Sequence, residues 1–309
     1  MSEGPVLVTG ATGQHGGTGA YVVRRLLAEG LPVRALVRRL DERSEQVADL
    51  GAELVVGDLT DYRSLTVALD GVSAAYFTFP VDAGIVPAAA HYAQAARDVG
   101  GEFRTVVMSM GPATQRHPSH LGRSQWLAEQ TLQWAGLDVT ILRMAAMFHE
   151  NLPLLFTRSV RDEGVIRNCF GDNPMSWLNA LDAAELCVVA LLRPERFADK
   201  VAHYLPGPEL YDFHQVAKIL GDVLERPVGY EPISREAWTE SLLGLAASPE
   251  AGLLQPNMAR HIAACGYAVA NSQERGNTDY HDTGLFQRVT GREPVLLHQY
   301  LTEQAGNFR

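Results

Sequence analysis

Three glycines at a spacing of three, Gly10, Gly13 and Gly16, follow the apolar run Val6, Leu7, Val8. Glycines in this pattern carry out no side-chain chemistry; they let the backbone do it. Gly10 allows a tight turn off a strand, Gly13 lets the main chain approach a pyrophosphate, and Gly16 lets the next helix pack on the sheet. A helix over residues 19–29 then aims its first amide N–H groups at the phosphates. Context supports the reading, because Tyr21, Val22, Leu26 and Leu27 make that helix amphipathic and a second strand over 32–37 follows at βαβ distance.

Groups able to move protons are sparser. Of 26 basic residues only Lys200 and Lys218 are lysines, and the residues four positions before them are Arg196 and His214. No Tyr-x-x-x-Lys pair exists, so the usual phenol with a lysine-lowered pKa is missing. Other candidates stand near strand ends: Ser109, Arg143 and His149, with His117 and His120 in a proline-containing loop where polar side chains are commonly just solvated. The ten histidines show no H-E-x-x-H or comparable spacing, and Cys169, Cys187 and Cys265 no C-x-x-C. No metal site and no disulfide framework is expected; the cysteines read as reduced core thiols.

The elements that must position these residues alternate regularly. Strands are expected at 6–9, 33–37, 53–56, 74–77, 105–109 and 139–142, with helices at 19–29, 43–50, 62–69, 86–99 and 124–134. Continuous apolar strands between helices imply an α/β fold with a doubly wound parallel sheet and a cofactor across its carboxyl ends. The rhythm then breaks. Residues 144–174 are aromatic and irregular, a strand at 176–181 leads to a helix at 183–192, and a strand at 202–205 and a helix at 212–224 follow. Residues 1–150 are expected to form the dinucleotide-binding domain. Residues 151–309 form a smaller lobe that partly returns to the sheet around 176–192. With 309 residues, 46% of them hydrophobic, a sizeable core is affordable, and a net charge of −10 argues against nucleic acid as the partner. The N-terminus has no signal-peptide order and no run suits a membrane span, so a cytoplasmic protein without membrane contact is expected.

Several tracts together resemble one family. Residues 9–17 (TGATGQHGG), Arg38 after the second strand, Gly57-Asp58-Leu59, residues 137–143 (LDVTILR) with Phe148-x-Glu150-Asn151, and Tyr204-x-Pro206-Gly207-Pro208-Glu209 are similar to the NmrA-like branch of atypical short-chain dehydrogenases. The resemblance covers most of residues 5–230. It implies a pyrophosphate cradle of Gly10, Thr12, Gly13, Gln14, His15 and Gly16, with Asp58 and Leu59 flanking the adenine. Thr78, Phe79 and Pro80 would line the path to the nicotinamide ribose. Arg38 stands where many Rossmann proteins carry an acidic residue for the ribose 2′-hydroxyl; a guanidinium there suits a 2′-phosphate, favouring NADP over NAD. Arg38 and Arg39 also read as solvated surface charges.

By the same resemblance the family's catalytic Tyr becomes Leu121 and its Lys becomes Gln125, which has no charge to offer. Two classes of function follow. One is an NAD(P)-dependent oxidoreductase using Ser109, Gln125, Arg143 or His149, with Phe148, Phe156, Phe170 and Trp177 (and Tyr204) as an aromatic substrate pocket. A quinone-like or polyketide-type aromatic from secondary metabolism suits it. The other is a non-catalytic NADP(H) sensor that reports to a regulatory protein partner, a role the resemblance also implies. The aromatic rings have a second reading too, as the core of the smaller lobe.

Overall fold

Val6–Val8 becomes strand β1, buried at all three residues, and the glycine turn leads from it into helix α1 (Thr18–Ala28). The computed structural model describes residues 4–13, 16–82, 84–100, 102–248, 254–271 and 282–309. The alternation continues through β2 (Val33–Val37), α2 (Glu42–Asp49), β3 (Glu53–Val56), α3 (Tyr62–Leu69), β4 (Ala74–Phe77) and α4 (Ile85–Asp98). It is completed by β5 (Arg104–Met110), α5 (His120–Trp134) and β6 (Val139–Met144). Then follow β7 (Met147–Phe148), α6 (Asn151–Glu163), β8 (Val165–Asn168), β9 (Met175–Leu178), α7 (Ala180–Leu192), β10 (Ala202–Leu205) and β11 (Glu209–Tyr211). The last elements are α8 (Phe213–Leu224), β12 (Gly229–Pro232), α9 (Arg235–Ala246), α10 (Pro256–Ala270), α11 (Leu285–Thr290) and α12 (Leu297–Glu303).

Contacts divide the chain into two units, Met1–Arg116 with Gly122–Met144 and Ala183–Tyr204, and His117–Leu121 with Ala145–Asp182 and Leu205–Arg309. The first unit carries a seven-stranded sheet in the order β10-β6-β5-β4-β1-β2-β3. The five pairings from β3 through to β6 are all parallel. Val8 at the end of β1 lies opposite both Ala35 of β2 and Tyr76 of β4, so the strand order reverses on either side of β1. Such a switch point opens a crevice beyond the carboxyl ends of the strands. Helix α4 turns Ala88, Ala89, Ala93 and Ala96 inward, small side chains that bring it close against the apolar sheet, with Tyr92 buried beside them. Asp41 and Asp61 cap α2 and α3 by accepting bonds from their first-turn amides.

The second unit holds a three-stranded sheet, β11-β9-β7, and a parallel pair, β12-β8. Its core is aromatic: the ring of Phe213 lies 5.2–5.8 Å from those of Phe156, Phe170, Trp177 and Tyr230, and Phe156 stacks on Trp238 at 5.6 Å.

Most expected elements fall within a residue or two of the observed ones. Two differences have physical causes. Residues 144–174 are not irregular, since α6 occupies 151–163 with Leu152, Phe156 and Val160 on its buried face. Pro153 masked it, because a proline in the first turn loses no helical bond and is not a breaker there. The strand expected at 176–181 is β9, which pairs with β11 and β7; the chain joins the seven-stranded sheet through β10 instead. Among the described residues no helix is long and apolar enough to cross a membrane.

Candidate cofactor and catalytic site

At the switch point two threonines tie the ends of β1 and β4 together. Thr9 Oγ1 donates to the Thr78 carbonyl at 2.9 Å and accepts from the Thr78 amide at 2.9 Å. Gly10 follows at φ +67°, where a Cβ would also sit 2.6 Å from Thr78 Cγ2, so only glycine fits. The Gly13 amide then bonds back to the Gly10 carbonyl at 2.9 Å, leaving 3.0 Å between that oxygen and any Cβ at Gly13. The close-packing role expected of Gly16 belongs to Gly19, whose Cβ would lie 2.2 Å from the Gly10 carbonyl oxygen. Gly16 instead adopts φ +67°. Gln14 and His15 lie outside the described residues.

Helix α1 has no side-chain cap, unlike α2 and α3, and no acidic residue in its first turn. Its leading amides carry the positive end of the helix dipole and suit an anion. Arg43 donates to the Thr12 carbonyl at 3.3 Å, fastening the turn to α2. The backbone cradle therefore fits a pyrophosphate. At the end of β2, Arg39 and Arg43 both pair with Asp41, while Arg38 stands exposed with no carboxylate at ion-pair distance among the described residues. Asp58 is turned onto its own loop: it accepts from the Thr60 hydroxyl and amide at 2.7 and 2.8 Å, and these bonds, with the charge of Arg38, hold it below the usual carboxylate range. Leu59, Thr78 and Phe79 are half-buried and Pro80 is exposed.

A second polar group joins β5, α5 and β6. Ser109 Oγ donates to Glu129 Oε1 at 2.5 Å, and Arg143 donates from Nε and Nη2 to the same carboxylate at 2.5–3.2 Å. Arg143 also donates to the Tyr204 hydroxyl at 2.9 Å with its guanidinium 5.1 Å from that ring's centre. Burial pushes the Glu129 carboxyl up, opposed by the bonds from Arg143 and Ser109. Burial also disfavours the charge on Arg143, but the Glu129 bonds outweigh it and its pKa rises. Ser109 and Arg143 are thus two arms of one clamp on Glu129. Sequence reasoning passed over Glu129 altogether. The available signal was its place on α5 four residues after Gln125, on the same helix face.

Leu121, Gln125 and Glu129 follow one another along α5 and all three are buried. Neither Leu121 nor Gln125 offers a group that titrates near neutrality. In the second unit His149 is fully enclosed, its ring nitrogens make no hydrogen bond among the described residues, and burial pulls it down to about 3. A neutral, sealed imidazole does not exchange protons with a substrate, so the expectation for His149 as an acid fails. The pocket reading also fails for Phe156, Phe170 and Trp177, which are at most 2% exposed and packed on one another as the core. Phe148 is partly exposed and Tyr204 is exposed. His120 is exposed as expected, whereas His117 is buried. The neighbouring Glu150 accepts from Asn179 Nδ2 at 2.9 Å and the Ala180 amide at 3.1 Å, and burial pushes it up to about 7.

A parallel sheet in the order β3-β2-β1-β4-β5-β6, with a glycine turn and an uncapped helix at its switch point, defines a Rossmann-type dinucleotide-binding protein. Within that class the chain belongs to the NmrA-like family, whose sequence pattern matches residues 2–265. It is 32% identical over 243 residues to an NAD(P)H azoreductase of Xenophilus azovorans, spanning 78% of this chain and 81% of that protein. Among solved structures, a triphenylmethane reductase of a Citrobacter species complexed with NADP(H) matches at a TM-score of 0.79 and 24% identity, covering 97% of this chain and 99% of that one. An NADPH-dependent quinone oxidoreductase of Escherichia coli matches at a TM-score of 0.79, 21% identity and the same coverage. NmrA, a negative transcriptional regulator, matches at 0.77 and 17%, covering 97% and 95%. At these identities the structural likenesses speak to fold.

Proposed function

We propose that the protein is an NAD(P)H-dependent reductase of conjugated aromatic acceptors, quinone-like or dye-like, that holds its cofactor over Gly10 to Gly19 and prefers NADP(H) through Arg38. The observation that carries this reading is the glycine turn at Gly10 and Gly13 leading to an uncapped helix, together with buried Leu121 and Gln125 at the positions to which the family resemblance assigns the acid pair. The azoreductase relative supports the acceptor class. A bound nicotinamide would supply hydride. The chain's own part is to fix the phosphates by backbone amides, to hold Arg38 toward a 2′-phosphate, and to keep the ends of β5 and β6 rigid through the Glu129 clamp. No side chain at 121 or 125 hands a proton to a developing alkoxide. A small aliphatic ketone is therefore a poor substrate, whereas a quinone or azo acceptor spreads the charge over its own π-system and takes its proton from water.

A second reading, a redox sensor acting on a regulatory partner, is favoured by one observation: Ser109, Glu129, Arg143 and Tyr204 are all engaged with one another. NADPH oxidation measured against a quinone, an azo dye and a small aliphatic ketone separates the two. Turnover of the first two alone is expected. Robust ketone reduction overturns the acceptor class, and silence toward every acceptor, together with cofactor-dependent binding of a protein, turns the assignment to the sensor.

A further inference from the structure

His117, Ser119, His261 and Cys265 come together within the second unit although Cys265 lies 148 positions beyond His117. His261 and Cys265 are four apart on α10 and so share a face of the helix. Cys265 Sγ lies 3.7 Å from His117 Nε2 and 3.5 Å from His261 Nε2, and one ligand atom from each of the three residues falls within 4.8 Å of the others. A tetrahedral zinc ion, with Zn–S about 2.3 Å and Zn–N about 2.0–2.1 Å, needs sulfur-to-nitrogen separations of about 3.6 Å.

The other ring nitrogens meet one hydroxyl. Ser119 Oγ is 3.0 Å from His117 Nδ1 and 2.5 Å from His261 Nδ1. An oxygen with two lone pairs can accept from both Nδ1–H groups, which leaves both Nε2 lone pairs for an ion. The Ser119 amide also reaches His117 Nδ1, at 3.0 Å. That ring therefore has two arrangements: Nδ1 bare and accepting from the amide, or Nδ1 protonated and donating to Oγ. Only the second presents Nε2 as a ligand, and a cation selects it. The sulfur also lies 4.0 Å from His261 Nδ1, more beside that ring than along its Nε2 lone pair, so the site needs the Cys265 side chain to swing toward that lone pair while Nδ1 stays on Ser119 Oγ.

We propose that His117, His261 and Cys265 form a three-ligand site for Zn2+, oriented by Ser119 and keeping a fourth coordination position open. Two imidazoles and a thiolate suit a borderline-soft, tetrahedral d10 ion rather than Mg2+ or Ca2+, which take oxygen ligands.

The test uses the full chain, stripped with a chelator and titrated with Co2+ as the spectroscopic stand-in. One equivalent should bind with thiolate-to-metal absorption and be displaced by Zn2+. Cys265→Ser should lose that absorption, and Ser119→Ala should keep it while lowering affinity ~10–100-fold. Circular dichroism reports whether each variant is folded. Alkylation mapped by mass spectrometry needs no substitution: Zn2+ should protect Cys265. A wild-type protein that gives no thiolate absorption, a folded Cys265→Ser variant with an unchanged spectrum and affinity, or Cys265 alkylated equally with and without Zn2+ overturns the site.

Discussion

Glu129 and His149 are both enclosed, ionisable residues, one in each unit, and they are held in opposite ways. Glu129 receives bonds from Ser109 and from two nitrogens of Arg143, so its charge is matched where it is buried. His149 has no hydrogen-bond partner among the described residues; its nearest carboxylate oxygen, Glu209 Oε2, is 4.0 Å away and accepts from the Leu297 amide, and its ring rests 5.4 Å from that of Tyr300. Burial with partners preserves a charge and fixes its position, whereas burial without them erases it. The first unit therefore uses enclosed polar groups as a frame around its strand ends, and the second keeps a neutral ring as filling.

The contrast is tested most severely by removing Glu129. Glu129→Ala leaves Arg143 half-buried and short of its counter-charge and should cost about 3–5 kcal/mol of stability, read by denaturant unfolding; Glu129→Gln should cost less. A loss below about 1 kcal/mol would mean that the clamp is ordinary surface pairing. Next comes the glycine turn of the same unit. Gly13→Val adds a side chain whose first carbon already crowds the Gly10 carbonyl at 3.0 Å, and calorimetric titration should show NADPH affinity falling by about 100-fold or more. Unchanged affinity in a folded variant removes the cradle from the cofactor site.

Arg38→Ala should weaken NADPH by about 1.5–3 kcal/mol while leaving NADH nearly unaltered. A wild type that prefers NADH contradicts the role given to Arg38.

Near neutral pH the smallest effect belongs to His149, whose contribution emerges only on acidification. The unfolded chain protonates this ring near its ordinary 6.5, but the folded chain only near about 3. Between those values the unfolded state binds more protons, so stability falls as the pH drops from about 6.5 toward 3. His149→Met should flatten that acid limb in melts recorded across the pH range. Glu150, raised to about 7, gives the opposite slope between 4.5 and 7 in both proteins and cancels in the difference. An acid limb left unchanged by the substitution would mean that His149 is not buried neutral.

The first unit was legible because its signals are local. Val6–Val8 is apolar at every position, and the glycines that follow are confined to the turn by backbone sterics that any reader of the sequence can apply. Gly19 escaped as the packing glycine because the approach of α1 to the Gly10 carbonyl is a three-dimensional fact. The second unit was harder, since Phe156, Phe170, Trp177 and Phe213 look alike as a pocket wall or as a core. Only their packing on one another decides between the two. Glu129 was missed for a related reason: a carboxylate on a helix reads as solvated until the strand that brings Arg143 beside it is known.

The position of Glu129 also constrains how this protein could change over evolutionary time. Introducing a Tyr-x-x-x-Lys pair by Leu121→Tyr with Gln125→Lys would place an ammonium four residues before Glu129, within ion-pair reach on one helix face although in the weaker Lys-before-Glu order. That lysine would be drawn to the carboxylate already holding Ser109 and Arg143, and away from the new phenol. A Tyr and Lys placed at 121 and 125 would thus compete with the existing clamp, and relieving that competition at Glu129 would unfasten Arg143. The substitutions are coupled through one carboxylate, so their effects on stability are expected not to add.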